Sequence, residues 1–457
     1  MAPSSYSQFL ATKQQLQNNQ GFEPIDLPDC LFPFQRFLAE WNIRKGRSSD
    51  CCDCGMGKTL LEYVFVDNCV RKTGKPGLII TPLSVSAQTV REGTKFGFPA
   101  LQSRDGKLVA PITVTNYEKL HLFDSDDFSV VACDEASVLK DCDSVTKAKV
   151  TEFMRTIPYR LLATATPAPN DWPELGTQSE CLGEMGYHDM LTKFFKQTTA
   201  KDHRGWGRTK YHIRAHGEHD FWRWVCSWAR AARKPSDLGF DDDGFILPGL
   251  DIQEHIVESR TKRPGFLLDM PATTLQEQKE ERRRTIRERC EKVAELVDHD
   301  QPAIAWCHLN PEGDLLAKII PNSIQVSGRD SDEAKEEAFA AFESGQVRVM
   351  VSKPSIAGHG LNWQHCAHQT FFPSHSFEEW YQAIRRSYRF GQKRRVRIDL
   401  VASEGEAGVM ANLQRKSDQA DVMFSRLVAL MNDHLSIRPV NGFINPEEIP
   451  SWLSRIN

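Results

Sequence analysis

From Asp53 to Thr59 the chain reads D-C-G-M-G-K-T, and from Gln382 to Gln392 it reads Q-A-I-R-R-S-Y-R-F-G-Q. The first segment has the composition of a phosphate cradle. Gly55 and Gly57, on either side of Met56, let main-chain N–H groups approach phosphate oxygens, the Lys58 ammonium reaches the β and γ oxygens, and the Thr59 hydroxyl suits Mg2+. Cys52 stands where the usual loop pattern begins with glycine. In the second segment Arg386 and Arg389 are three residues apart, a spacing that on a helix puts both guanidinium groups on one face. A cradle in one half and an arginine pair in the other predict an ATP site shared between two lobes.

A third element lies between them. The apolar run Val130–Cys133 ends in Asp134-Glu135, which places one carboxylate for Mg2+ and a second for an attacking water, the two tasks of phosphoryl transfer to water. Other short apolar runs also end in polar residues: Leu78–Ile80 before Thr81-Pro82, Ile112–Val114 before Thr115-Asn116, and Leu161–Ala163 before Thr164-Ala165-Thr166. Buried parallel strands read this way, with the working residues at their C-terminal ends. Helical stretches at Leu60–Val70 and Ser144–Arg155 alternate with them, so the first half predicts a doubly wound α/β lobe.

A second series of strands is expected at Ala303–Cys307, Val347–Ser352, Gln369–Phe372 and Val396–Val401, after a charged helix spanning Gln276–His299 that reads as exposed. The expected division is a polar segment 1–20, a first lobe 21–197, an insertion and connector 198–260, a second lobe 261–403, and a C-terminal helix and tail 404–457. Trp206, Trp222, Trp224 and Trp228 in the insertion read as packing onto the first lobe, the alternative being a wedge that stacks on unpaired bases.

Composition narrows the field. At 457 residues the chain can build two or three cores, and a net charge of −4 argues against wholesale electrostatic attachment to nucleic acid or membrane. The N-terminus lacks a signal-peptide pattern and no apolar run is long enough to span a bilayer, so a soluble intracellular protein is expected. The twelve cysteines read as reduced structural thiols, and His203, His212, His216 and His219 as a solvated loop without metal.

Taken in order, these motifs resemble the superfamily-two helicases, and within them the Swi/Snf-type translocases. The resemblance implies two tandem RecA-like lobes with a central insertion and a helical C-terminal extension. It implies ATP and Mg2+ as cofactors, with Thr59 and Asp134 on the metal, Glu135 as general base, and Gln382, Arg386 and Arg389 acting on the nucleotide beside Lys58. F-P-F-Q, Phe32 to Gln35, resembles the adenine-reading element, since the Gln35 amide can donate and accept at once. Thr81, Pro82, Thr115, Asn116, Thr164 and Thr166 fall in the loops that contact nucleic acid or couple it to the ATP. In the second lobe Ser327–Arg329 and then Val349–Asn362 match a segment that touches both, with Ser352 and Asn362 toward nucleic acid and Gly358 and Gly360 allowing close approach. Arg385 stands where the family carries an acidic residue, and Ser137 makes the strand-end motif D-E-A-S. Leu361-Asn362 and Arg389–Gln392 favour the Swi/Snf-type branch, hence an ATP-driven motor on duplex DNA, sequence-neutral and unattached to membrane. The alternatives are a strand-separating helicase and a non-hydrolysing nucleic-acid clamp.

Overall fold

Fully buried apolar runs make the first lobe's strands, and the computed structural model describes residues 20–168, 171–201, 207–259, 275–357 and 361–435. In chain order the strands of the first half are β1 (Arg47–Cys52), β2 (Gly77–Thr81), β3 (Ala100–Gln102), β4 (Ile112–Asn116), β5 (Val130–Cys133), β6 (Tyr159–Ala163), β7 (Phe195–Lys201), β8 (Gly207–Ile213) and β9 (Ala229–Ala232). All but β7 and β8 join one parallel sheet in the order β3-β4-β2-β5-β6-β1-β9. The four strands expected in this half are β2, β4, β5 and β6.

β1 has no apolar signature: R-S-S-D-C-C. It is buried between β6 and β9, and most of its side-chain polar groups find partners inside the lobe, although Asp50 Oδ1 has none and burial pushes that carboxyl up to about 7. Asn42 donates to the Asp50 carboxylate at 2.7 Å and accepts from the Ser48 hydroxyl at 2.8 Å, while the Ser49 hydroxyl donates to Gln178 at 3.0 Å. Burying a hydroxyl or carboxylate is tolerable only with such partners.

The second lobe contains β10 (Leu250–Val257), β11 (Ala303–Trp306), β12 (Ser323–Val326), β13 (Val349–Ser352), β14 (His368–Phe371) and β15 (Val396–Ser403), all parallel, in the order β10-β15-β14-β11-β13-β12. Alternate residues feed two cores. Ile304, Trp306, Met350, Ile398 and Leu400 pack on one face, and Ala303, Ala305, Val349, Val351 and Val401 on the other. A sheet covered on both faces explains strands that are apolar at every position.

The expected insertion divides between the lobes. β9 completes the first sheet beside β1, and β10 forms the edge of the second beside β15. A-R-A-A is too short and too weakly patterned to have announced a strand. Between β8 and β9 the helix Glu218–Trp228 drives Phe221, Trp222, Val225 and Trp228 into the first core, with Trp222 and Trp228 at 1% and 0% exposure. Those tryptophans are packing residues, and Trp224 stacks on Phe194 at 5.5 Å; Trp206 lies outside the described residues. His212 stands on β8, His216 in a short turn and His219 on the helix, so they do not share one loop; His203 lies outside the described residues.

The charged stretch expected as one exposed helix is two, Leu275–Arg284 and Ile286–Leu296. The second buries Cys290 and Val293 in the second lobe's core, and the Arg289 guanidinium is neutralised by Glu312 at 2.8 Å. The final helix, Ala407–Leu435, bridges the molecule: Leu413 belongs to the second lobe's core, whereas Met423, Phe424 and Leu427 belong to the first. Among the described residues no helix is long and apolar enough to cross a membrane.

Candidate active site

The phosphate loop runs from the C-terminal end of β1 into the helix Lys58–Thr73. Gly57 has φ +85°, and a Cβ there would stand 2.2 Å from Gln35 Nε2. Gly55 has φ +93°, and a Cβ there would meet Phe390 of the second lobe at 2.8 Å. Both positions therefore demand glycine on conformation and on space. The Lys58 ammonium donates to the carbonyl oxygens of Cys52 at 2.9 Å and Asp53 at 3.3 Å. Burial works against its charge, but Cys54, Glu135 and Asp134 outweigh it and raise its pKa.

Asp134 and Glu135 leave β5 at the same edge of the sheet. Burial, reinforced by the charge of Glu135, pushes the Asp134 carboxyl up to about 6 against the pull of Lys58. Glu135 sits at φ +55°, a left-handed conformation that costs an ordinary residue roughly 1–2 kcal/mol. Two hydroxyls hold its carboxylate there: Ser137 donates at 2.9 Å and Thr164 at 3.0 Å. Ser137 of D-E-A-S is thus a positioning group that the sequence marked only as a departure from the usual motif. Thr164 ties the Thr164–Pro167 turn to the same carboxylate.

Lys58, Thr59, Asp134 and Glu135 line a cleft of about 220 Å³ together with Arg386, Arg389, Asn362 and Phe390 of the second lobe. The arginines are not on a helix. The helix Phe377–Ile384 ends before them: the Arg386 N–H bonds the Ala383 carbonyl at 3.1 Å, and the Arg386 Nε donates to the Gln382 carbonyl at 2.9 Å. Arg386 and Arg389 still converge, donating to the Leu361 carbonyl at 3.0 and 3.4 Å. Burial lowers the Arg386 pKa and neighbouring Arg389 adds to that, while Cys54, Glu135 and Asp134 oppose it. The Gln382 carboxamide is 1% exposed, and neither its oxygen nor its nitrogen has a protein partner.

Second-lobe residues also reach the phosphate loop itself. Tyr381 donates its hydroxyl to the Asp53 carboxylate at 2.8 Å, Arg385 approaches the same carboxylate at 2.5 Å, and Arg385 Nη2 donates to Tyr381 Oη at 3.1 Å. Lys140, just past D-E-A-S, pairs with Glu378 on the Phe377–Ile384 helix. No single-sequence signal links these residues, although the unexpected base at position 385 was a clue that some acid must answer it.

Several expected contacts are spent elsewhere. Gln35 donates to the Met56 carbonyl at 3.0 Å and accepts from the Phe32 N–H at 3.1 Å, so its amide braces the loop and is not presented to a base. Thr81, Thr115, Thr164 and Ser352 are buried, with hydroxyls bound to Ser86, the Ser103 carbonyl, Glu135 and the Val326 carbonyl. Asn116 caps the following turn by accepting from Lys119 N–H at 3.0 Å. Strand-end hydroxyls in a tightly packed lobe satisfy one another first, and these side chains are turned into the lobe in this structure. Thr166 is 5% exposed with an unpartnered hydroxyl, Pro82 and Asn362 border the cleft, and Gly358 and Gly360 lie outside the described residues.

No family model and no curated protein matches the sequence. Among solved structures, S. cerevisiae Dbp5 bound to RNA and ADP BeF3 is similar at a TM-score of 0.53 and 11% identity, over 88% of this chain and 98% of that one. The Sulfolobus solfataricus SWI2/SNF2 ATPase core in complex with dsDNA is similar at a TM-score of 0.41 and 18% identity, over 90% of this chain and 96% of that one. Identity this low speaks for fold alone, and the likeness to Dbp5 agrees with the two parallel sheets and the cleft between them: the chain folds as two tandem RecA-like lobes.

Proposed function

We propose that the protein is a nucleic-acid-dependent ATPase that couples hydrolysis to movement along duplex DNA. The observation that carries this reading is the single cleft into which Lys58, Thr59, Asp134 and Glu135 face from one lobe and Arg386 and Arg389 from the other. Two neighbouring carboxylates beside a hydroxyl form a donor set suited to Mg2+, which prefers oxygen ligands, and Thr59 with Asp134 would hold it. When bound, the ion supplies charge neutralisation on the phosphates. Lys58 would leave its carbonyl partners for the phosphate oxygens. Glu135, held by Ser137 and Thr164, would take the proton of the attacking water. Arg386 and Arg389 would exchange the Leu361 carbonyl for the γ-phosphoryl group, so catalysis would require the second lobe in place.

The Thr164–Glu135 hydrogen bond gives the coupling a physical route. A shift of the Thr164–Pro167 turn would move the base. Swi/Snf-like R-F-G-Q at Arg389–Gln392 supports duplex DNA as the track, and burial of Trp222 and Trp228 takes two of the four candidate rings away from a strand-splitting wedge. ATPase rates measured with duplex DNA, single-stranded DNA and RNA test the proposal. Stimulation greatest with duplex, and displacement of a third strand from a triplex without separation of a forked duplex, are expected; stimulation by RNA alone would overturn the choice of track.

A further inference from the structure

β7 and β8 form an antiparallel ribbon that belongs to neither parallel sheet. Its register sorts residues by face. Phe195 lies opposite Ile213 and Gln197 opposite Tyr211, while Lys196 lies opposite His212 and Thr198 opposite Lys210. Because successive strand residues alternate sides, these pairs occupy opposite faces. Phe195 is buried, and Tyr211 and Ile213 pack against the first lobe's core. Lys196, Thr198, Lys210 and His212 are exposed.

The ribbon is firmly rooted. Arg214 N–H donates to the Phe194 carbonyl at 2.9 Å and Arg214 Nε to the Phe195 carbonyl at 3.1 Å, and the Phe195 ring meets Phe221 at 5.3 Å. A two-stranded ribbon is marginal alone, so this aromatic footing is what fixes the direction of its outer face. The segment's composition is one-sided: in sequence, residues 195–214 include Lys196, Lys201, Arg204, Arg208, Lys210 and Arg214 against Asp202 alone. The ribbon's position is informative too. Lys210 and His212 act electrostatically on Asp171, in the segment that follows Thr164–Pro167 beyond the C-terminal end of β6. The basic face therefore lies near Asp171, in a protein whose net charge is −4.

We infer that this outer face is a contact for the phosphate backbone of duplex DNA, with Lys196 and Lys210 as the charged donors and His212 as a hydrogen-bonding group beside them. The inference rests on the nucleic-acid reading above and adds an element to it. Ammonium groups seek phosphates without reading bases, and a two-stranded ribbon is narrow enough to follow a groove. It also supplies what the buried strand-end hydroxyls do not.

The test is the double substitution Lys196→Gln and Lys210→Gln in the full chain, with binding to a short mixed-sequence duplex measured over a range of KCl concentrations. Each phosphate contact adds roughly 0.9 to the slope of log affinity against log salt, so the variant should show a slope shallower by roughly 2 and weaker binding at low salt. ATP affinity and DNA-free ATPase should be unchanged, as both side chains are exposed and outside the cleft. Wild-type protein that binds duplex and is stimulated by it, with an unchanged slope in the variant, would overturn the ribbon contact alone. Wild-type protein indifferent to duplex at every salt concentration would overturn both readings. A slope change on single strands but none on duplex would overturn the choice of ligand.

Discussion

Arg385 of the second lobe and Asp53 of the phosphate loop form an ion pair at 2.5 Å, with side chains 13% and 5% exposed. The Arg385 guanidinium also lies over the rings of Tyr381 at 5.0 Å and Tyr388 at 5.2 Å. Breaking a buried pair from one side leaves an uncompensated charge, at about 3–5 kcal/mol. The pair therefore ties the second lobe to the nucleotide loop.

Arg385→Ala should separate from a general folding defect by where its effect falls. With Asp53 left unpaired, kcat should drop at least tenfold, and pairing it with Asp53→Asn should recover part of the loss, because the second change removes the stranded charge. Steady-state ATPase with a double-mutant cycle measures this, and strictly additive losses would mean that the pair is not coupled in solution.

Substitutions in the cradle should divide binding from chemistry. Lys58→Ala is expected to weaken ATP binding by about 10–100-fold, the value of a charge-assisted hydrogen bond. Glu135→Gln should retain binding and reduce turnover by about 10²–10⁴. Fluorescent-nucleotide titration alongside single-turnover hydrolysis distinguishes the two, and full turnover in Glu135→Gln would remove the assigned base.

The two hydroxyls on Glu135 lead to a milder expectation. Ser137→Ala and Thr164→Val each delete one hydrogen bond to a carboxylate held at φ +55°, so kcat should fall about tenfold in each, with KM for ATP nearly constant. Thr164→Val should also weaken stimulation by DNA, because it cuts the tie to the Thr164–Pro167 turn. Equal loss of basal and stimulated rates would place Thr164 in support of the base only.

Arg386→Ala and Arg389→Ala should lower kcat by about 10³ while leaving DNA binding without nucleotide nearly unchanged. Electrophoretic mobility shifts with and without a nonhydrolysable ATP analogue test this. Loss of binding in nucleotide-free protein would make these arginines a docking surface.

Stability of the second lobe should depend on acid through Asp399. Burial would raise its carboxyl, but hydrogen bonds from His368, Arg397 and His255 prevail and hold it at about 2. A folded pKa below the unfolded one means stability that is complete above the ordinary carboxylate value and lost as pH falls from about 4 towards 2. Asp399→Asn should therefore destabilise the lobe by about 2 kcal/mol at neutral pH, and the difference should shrink through that acid window when urea unfolding is followed at successive pH values.

The site was legible wherever local chemistry and strand ends coincide. G-M-G-K-T and Val130–Glu135 show their purpose because each function sits within a few residues of an apolar run. β1 was opaque, since its serines and one oxygen of its aspartate find partners in Asn42 and Gln178, which a strand pattern does not contain. The arginine spacing was visible but not its setting: a helix was expected through the arginines, and the helix ends at Ile384, before them. Thr81, Thr115 and Ser352 carried the right chemistry for phosphates and face inward instead. Asp53 and Tyr381, 328 residues apart, meet only once both lobes are folded.

The Ala407–Leu435 helix gives the molecule a second tether. It leaves one lobe's core at Leu413 and enters the other's at Phe424, while the chain between β9 and β10 already joins the lobes elsewhere. Bodies linked at one place can swivel freely; linked at two, they are left with rotation about the line through both links. The cleft would then open as a door on two hinges, with the arginines sweeping a fixed arc across the phosphate loop, so that every closure would return them to the same place.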